Sequence, residues 1–436
     1  MFSLKCKNRK YCFSLLLVLS ICFSAWSQEQ KLSLEDARKA ALAYSHDIKN
    51  GNLRLQQAEA SKKAALSNYF PTVQALGTAM YNFNNFISAI PILLPEDIDK
   101  VYLATAVATE VVYAGGKVRT GNKLTDIQVY VNTIRADQSI DSVLLNTEQK
   151  YWQLVQLQEQ QKVVSVSKAY LDELLQQQED LLAAGLIAKN QLLQVKVKRS
   201  ELLLQKSKLS NMRKLALLDL ALYTGIPFDT LLIASDTIHH VAAPELKYQQ
   251  PNLNLENNSN YQLLQKSVEA SKLQTKMAKS DLYPQIAIGF SATKLGTFHQ
   301  DLSTDIQPIA FGTVSIPISN WWGSTKQEIK QRELQESIAE NNLKNVEDRL
   351  KVGIMQSWYN LEDAFKQIEY AQENVAFAEE NLKVQRDNYN SGLNNLTDLL
   401  DAQRTKQEAA TALVTAYANF EIMEMTYLFR TDQLEQ

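Results

Sequence analysis

The chain writes one pattern twice, and the offset is constant. Gly185 and Gly392 lie 207 positions apart, as do the Leu192-Leu193 and Leu399-Leu400 pairs, and Gly116 and Gly323. "SNYFPTV" (67–73) is echoed by "SDLYPQI" (280–286). A chain of 436 residues could hold two or three ordinary domains, but an internal repeat of this length makes it two copies of one unit.

Prolines divide each copy. They stand at 71, 91, 95, 227, 244, 251, 284, 308 and 317, leaving 96–226 and everything after 317 free of them. Proline breaks helix interiors, so these two runs are the places for long helices. In the first copy a helix of roughly 35 residues is expected from the cap Ser33, with Asp36 three residues on, to Asn68. Strands are expected near 72–83 and 101–114, a long helix from 118 to 182, a turn at 183–190, and a helix from 189 to 223. In the second copy the order recurs: helix 259–281, strands near 284–295 and 307–319, helix 324–389, turn 390–396, helix 396–429. The organisation is therefore 1–27 leader, 28–227 first repeat, 228–257 connector rich in Pro, Asn and Asp, and 258–436 second repeat.

The strands alternate. Val73, Ala75, Ala79, Tyr81 and Phe83 face one way, and Thr72, Gln74, Thr78 and Asn82 the other. Ile286, Ile288, Phe290 and Ala292 oppose Gln285, Ala287, Ser291 and Thr293 in the same manner. Two strands per repeat leave open edges, so they pair with other chains or form a small covered sheet. Strands of about 9–11 residues with one apolar face suit an outer-membrane barrel, and equally a half-buried soluble sheet. In the long second helix Leu361, Ile368, Val375, Leu382 and Tyr389 recur every seven residues, with Ala364, Ala371 and Ala378 three later. That is a heptad with large and small positions, and such a helix needs an equally long partner.

Residues 1–27 read as a secretory leader, with Lys5, Lys7, Arg9 and Lys10 before the apolar run Leu15 to Phe23 and a small-x-small site at Ala25-Trp26-Ser27. Lipidation at Cys22 is the rival reading, against which Ile21 stands where a small residue is expected. All three cysteines fall in this segment, so no disulfide or cysteine metal site is expected after its removal. Removal also takes four basic residues, leaving 45 − 4 = 41 against 48 acids, or −7, a balance opposed to nucleic-acid binding. His239-His240 is the only histidine pair and lacks further donors. No catalytic triad, phosphate loop or paired-carboxylate pattern stands out, so neither an enzyme nor a cofactor is expected.

Leader, helix, strand pair, long helix, glycine turn and helix, all done twice, resemble the TolC-like outer-membrane efflux protein family over essentially the whole chain after the leader. The resemblance implies an α+β membrane channel: three protomers close a 12-stranded β-barrel, continued by a 12-helix periplasmic tunnel. It implies partners: the chain's own copies, a periplasmic adaptor, an inner-membrane pump and outer-membrane lipid. It also implies site residues. The two turns, at Gly185-Leu186 and Gly392-Leu393, would be the adaptor-contacting tips. The second would carry the periplasmic gate, with Asp398 and Asp401 as six carboxylates around one axis and Tyr389 as part of the closed latch. Gln191 and Gln194 stand at the equivalent places of the first turn. The latch's basic residue would fall at Asn394 and its acidic partner at Gln191, which departs from the family's charge-based latch; the weaker alternative is a latch of Tyr389, Gln and Asn hydrogen bonds. Trp321 and Trp322 would sit at the periplasmic membrane edge, with Tyr81, Phe83, Phe86 and Tyr102 at the opposite belt.

Bland readings stand beside these. Asp398 and Asp401 also suit the first turns of a helix capped by Thr397, Tyr389 also ends a packing stripe, and the tryptophans also suit a core under the strand exit. The rival function is a soluble periplasmic coiled-coil scaffold without a pore. A third reading keeps the channel with protein rather than small-molecule cargo.

Overall fold

The computed structural model describes residues 31–89, 97–238, 241–298 and 302–434. The leader, Cys22 and the His239-His240 pair lie outside the described residues. Its elements are β1 (Lys31–Leu32), α1 (Leu34–Tyr44), α2 (His46–Leu66), β2 (Thr72–Tyr81), β3 (Lys100–Ala114), α3 (Lys117–Ala183), α4 (Lys189–Thr224), β4 (Ile233–Ala234), α5 (Pro244–Lys247), α6 (Ser259–Ser280), β5 (Gln285–Thr297), β6 (Gln307–Ser315), α7 (Ser324–Asn390) and α8 (Leu396–Arg430). The paired long helices α3 and α7 are each 67 residues.

The chain forms two compact units, and both repeats contribute to each. One comprises residues up to Ile48, Ile140–Asn252 and from Gly353 on; the other comprises Lys49–Ser139 and Leu253–Val352.

The second unit is built on a four-stranded antiparallel sheet in the order β2-β3-β5-β6. Its centre joins the repeats, because β3 of the first pairs with β5 of the second from Val101↔Thr297 to Ala114↔Gln285, with a bulge between Val111 and Tyr113. The outer strands β2 and β6 each have one partner strand, and their residues are almost all exposed. Expected to reach 319, β6 stops at Ser315; Pro317 cannot donate to a ladder, and a 3-10 turn follows at Ile318–Trp321.

In the first unit most of the heptad stripe is buried: Leu361, Ala364, Ile368, Ala371, Ala378 and Leu382 are inside, while Val375 and Tyr389 are half-buried. Leu361 to Ala371 pack with Trp358, Tyr417 and Phe420. A second cluster draws Val164, Leu171, Leu202, Leu382, Leu396 and Leu399 from α3, α4, α7 and α8. The expected single helix from Ser33 is two helices. Ser33 caps α1 by accepting from the Asp36 N–H. At Ser45 the backbone becomes extended (φ −48°, ψ 126°), and its Oγ accepts from the N–H groups of Asp47 and Ile48. Serine thus ends one helix and starts the next with no proline or glycine involved.

The connector is partly ordered into structure. β4 pairs in parallel with β1, Lys31↔Ile233 and Leu32↔Ala234. Two side chains of α3 secure it. Gln158 both donates to the Ala234 carbonyl at 3.3 Å and accepts from its N–H at 2.9 Å. The buried Tyr151 hydroxyl, with one proton to give, lies within hydrogen-bond distance of two acceptors, the Leu32 carbonyl at 2.9 Å and the Asp236 carboxylate.

Candidate functional site

The two glycine turns close the α3–α4 and α7–α8 hairpins, both in the first unit, with one geometry. Gly185 (φ +71°) and Gly392 (φ +77°) adopt the left-handed conformation that glycine takes without Cβ strain. The Leu186 N–H returns to the Leu181 carbonyl and Gly185 to Leu182; the Leu393 N–H returns to Asn388 and Gly392 to Tyr389. These are the paired bonds of a Schellman motif, which satisfy carbonyls that a helix end otherwise orphans. Leu186 and Leu393, just past each glycine, are about three-quarters exposed at 71% and 74%.

Asp398 and Asp401 lie on the solvent face of the first turns of α8, while Leu396, Leu399 and Leu400 fix its other face in the core. The cap is Asn395, which accepts from the Asp398 N–H at 3.1 Å, in place of the expected Thr397. Asn395 starts a capping-box-like spacing whose fourth residue is Asp398. Arg404 Nε stands 3.8 Å from Asp401, but bonds Glu408 at 2.8 Å.

Tyr389 packs half-buried against the hairpin core, and its hydroxyl donates to Gln178 Oε1 at 3.2 Å. Gln178 is fully buried, and its Nε2 has no hydrogen-bond partner. The same is true of the buried Oε1 of Gln191. Asn394 donates to Gln385 Oε1. Tyr389, Gln178, Asn394 and Gln385 thus meet through a phenol and amides alone, and orphaned amide atoms are costly to keep dry.

Ion pairs across the hairpins repeat the 207 offset, then break it. Arg199 reaches Asp172 at 2.6 Å in the first hairpin, and Lys406 reaches Glu379 at 3.2 Å in the second. Arg199, with Lys168, holds the Asp172 carboxyl below the ordinary range. Nearer the turn, Lys196 and Glu179 pair at 3.0 Å; the corresponding positions of the second hairpin are Gln403 and Arg386. Farther from the turn Lys150 of α3 also pairs with Asp219 of α4, so among the described residues the first hairpin is tied three times and the second once. Gln178 and these ion pairs were not among the residues singled out from sequence; shifting the numbering by 207 is the signal that finds the pairs.

Trp321 and Trp322 lie in the other unit. Trp321 is 52% and Trp322 70% exposed, so neither is a core residue in the single chain, and Trp321 Nε1 donates to the Leu282 carbonyl at 3.0 Å.

The chain shares its fold with solved outer-membrane channels. The chain superimposes on VceC from Vibrio cholerae with a TM-score of 0.77 at 15% identity, covering 91% of this chain and 95% of that one. It superimposes on CmeC from Campylobacter jejuni at 0.76 and 16%, covering 94% and 92%, and on the open-state MtrE channel of Neisseria gonorrhoeae at 0.71 and 13%, covering 91% and 88%. Residues 251–424 match the family described as outer membrane efflux protein, so the resemblance drawn from the doubled turns is borne out. No curated protein matches the sequence.

Proposed function

We propose that this chain is the outer-membrane exit duct of a tripartite efflux or type I secretion system: a passive homotrimeric conduit that catalyses no reaction. The observation that carries this reading is the sheet with a free edge on each outer strand. Lipid tolerates no open edge, and three copies of four strands supply a closed 12-stranded barrel. Helices α3, α4, α7 and α8 would continue it into the periplasm as a twelve-helix tunnel, with an inner-membrane pump driving transport. A periplasmic adaptor would take the exposed turns at Gly185-Leu186 and Gly392-Leu393.

The second hairpin is the gate in this reading. Three copies of Asp398 and Asp401 would gather six carboxylates at its entrance, while the missing inner ion pair leaves that hairpin freer to swing. Tyr389 on Gln178 acts as an uncharged latch. Replacing Tyr389 with phenylalanine removes about 0.5 kcal/mol per protomer for a long neutral hydrogen bond, hence about 1.5 for a concerted trimer, or roughly tenfold in open probability. Single-channel recording of the variant checks this. In the same planar bilayers the native protein should give discrete, long-lived, cation-selective steps and migrate as a heat-stable trimer. A protein extracted without detergent, with no such oligomer, would favour the rival scaffold reading.

A further inference from the structure

The strand register sorts the sheet's side chains into two faces. Val73, Ala108, Phe290 and Ala310 lie across from one another on one face, as do Ala75, Ala106, Ala292 and Pro308. This face is apolar except for Lys100 at the strand start, Lys294 opposite Ala104, and Glu110 opposite Ile288. The other face mixes Thr, Gln and Ser with Leu and Val and carries no ionisable residue within the four strands. If the barrel reading of the preceding subsection holds, on which this inference rests, the apolar face meets lipid. Glu110 then stands where hydrocarbon is expected, and an ionisable residue there is a site by default.

Its surroundings say what it would take. Glu110 lies four residues before the end of β3, just ahead of the bulge. It borders a groove of about 560 Å³ otherwise lined by apolar groups, among them Ala108, Ile288, Phe290 and Ala310. One carboxyl oxygen, Oε2, is out of solvent with no hydrogen-bond partner. An unpaired carboxylate beside an apolar trough calls for a ligand with a hydrogen-bonding cation at one end and a hydrocarbon body. Ile288 and Phe290 remain half exposed along the trough, at 53% and 51%, and offer the body its surface.

We propose that Glu110 and this groove form a binding site for an amine-headed phospholipid: the primary ammonium donates to the Glu110 carboxylate and an acyl chain lies over Ile288 and Phe290. Three such sites would ring the trimer near the strand–helix junction.

The test is lipid retention by the intact trimer, purified from mixed vesicles of phosphatidylethanolamine, phosphatidylcholine and phosphatidylglycerol and read by native mass spectrometry. The wild type should retain phosphatidylethanolamine at least tenfold over phosphatidylcholine, whose head has no N–H, and Glu110→Gln should abolish that preference while leaving phosphatidylglycerol retention unchanged. Equal retention of the three lipids by the wild type overturns the site without any variant. Binding of tetraphenylphosphonium that Glu110→Gln removes, with no lipid preference, overturns it in favour of a soluble organic cation. A protein that never inserts into the vesicles instead overturns the barrel reading itself, and heat-stable trimer on gels separates that outcome from a failed site.

Discussion

Replacing Asp398 and Asp401 together with alanine is expected to weaken block of the channel by a trivalent cation about a hundredfold and to cut its preference for monovalent cations. The size follows from charge counting. With six carboxylates each ~10 Å from a trivalent ion in water, the unscreened attraction sums to roughly 7 kcal/mol, and a Debye length of about 10 Å cuts it to roughly 2.7. Both carboxylates are exposed and belong to no core contact, since the leucines on the other face of α8 hold the helix. The double variant should therefore fold and assemble as before. Unchanged block in a trimer that still conducts would remove the aspartates from the gate and leave them as ordinary first-turn acids.

The second large effect falls on neighbouring glycines that look alike in sequence. Gly115 and Gly116 are both left-handed, with φ of +60° and +83°. A Cβ on Gly116 would meet nothing within 4 Å, whereas one on Gly115 would stand 2.6 Å from the Ser280 carbonyl oxygen and 2.9 Å from Tyr283 Cβ. Backbone cannot step aside as a flexible side chain does. Gly116→Ala should cost only the conformational strain of about 1–2 kcal/mol. Gly115→Ala adds overpacking, for a total of about 2–5 kcal/mol. The expected result is a near-normal yield of heat-stable oligomer for Gly116→Ala and a severe loss for Gly115→Ala. Equal yields would mean that the strand exit has room to relax.

This pair also shows where sequence reasoning reaches. Proline and glycine act through their own backbones, so the ends of α3, α4 and α7 could be placed within a residue or two from Gly185, Pro227 and Gly392. The buried face of α7 was legible for a similar reason, since a seven-residue period survives in the letters. Features that depend on a distant neighbour were not. Gly116 was singled out for its repeat partner Gly323, yet Gly115 is the one pressed against Ser280, 165 positions on. Thr397 and Asn395 are both good caps, and only the path of the chain after Gly392 selects the latter. Ser45 interrupts a stretch with strong helical composition by bonding its own downstream backbone. At the candidate gate, Asp398, Asp401 and Tyr389 follow from the family resemblance alone, whereas Gln178, which accepts the tyrosine's bond, lies 211 positions from it in the sequence.

The ion pairs across the hairpins carry a consequence for how such a chain could arise. Arg199–Asp172 has its counterpart in the second copy as Lys406–Glu379, while the positions of Lys196–Glu179 hold Gln403 and Arg386 there. On the proposed gate reading, a single hairpin would have to serve as fixed post and swinging door at once, and any mutation loosening one would weaken the other. Duplication within one gene removes that conflict. With two copies, one can keep its fastenings while the other does without one and carries the two acids, and both still travel in the same polypeptide at a strict one-to-one ratio.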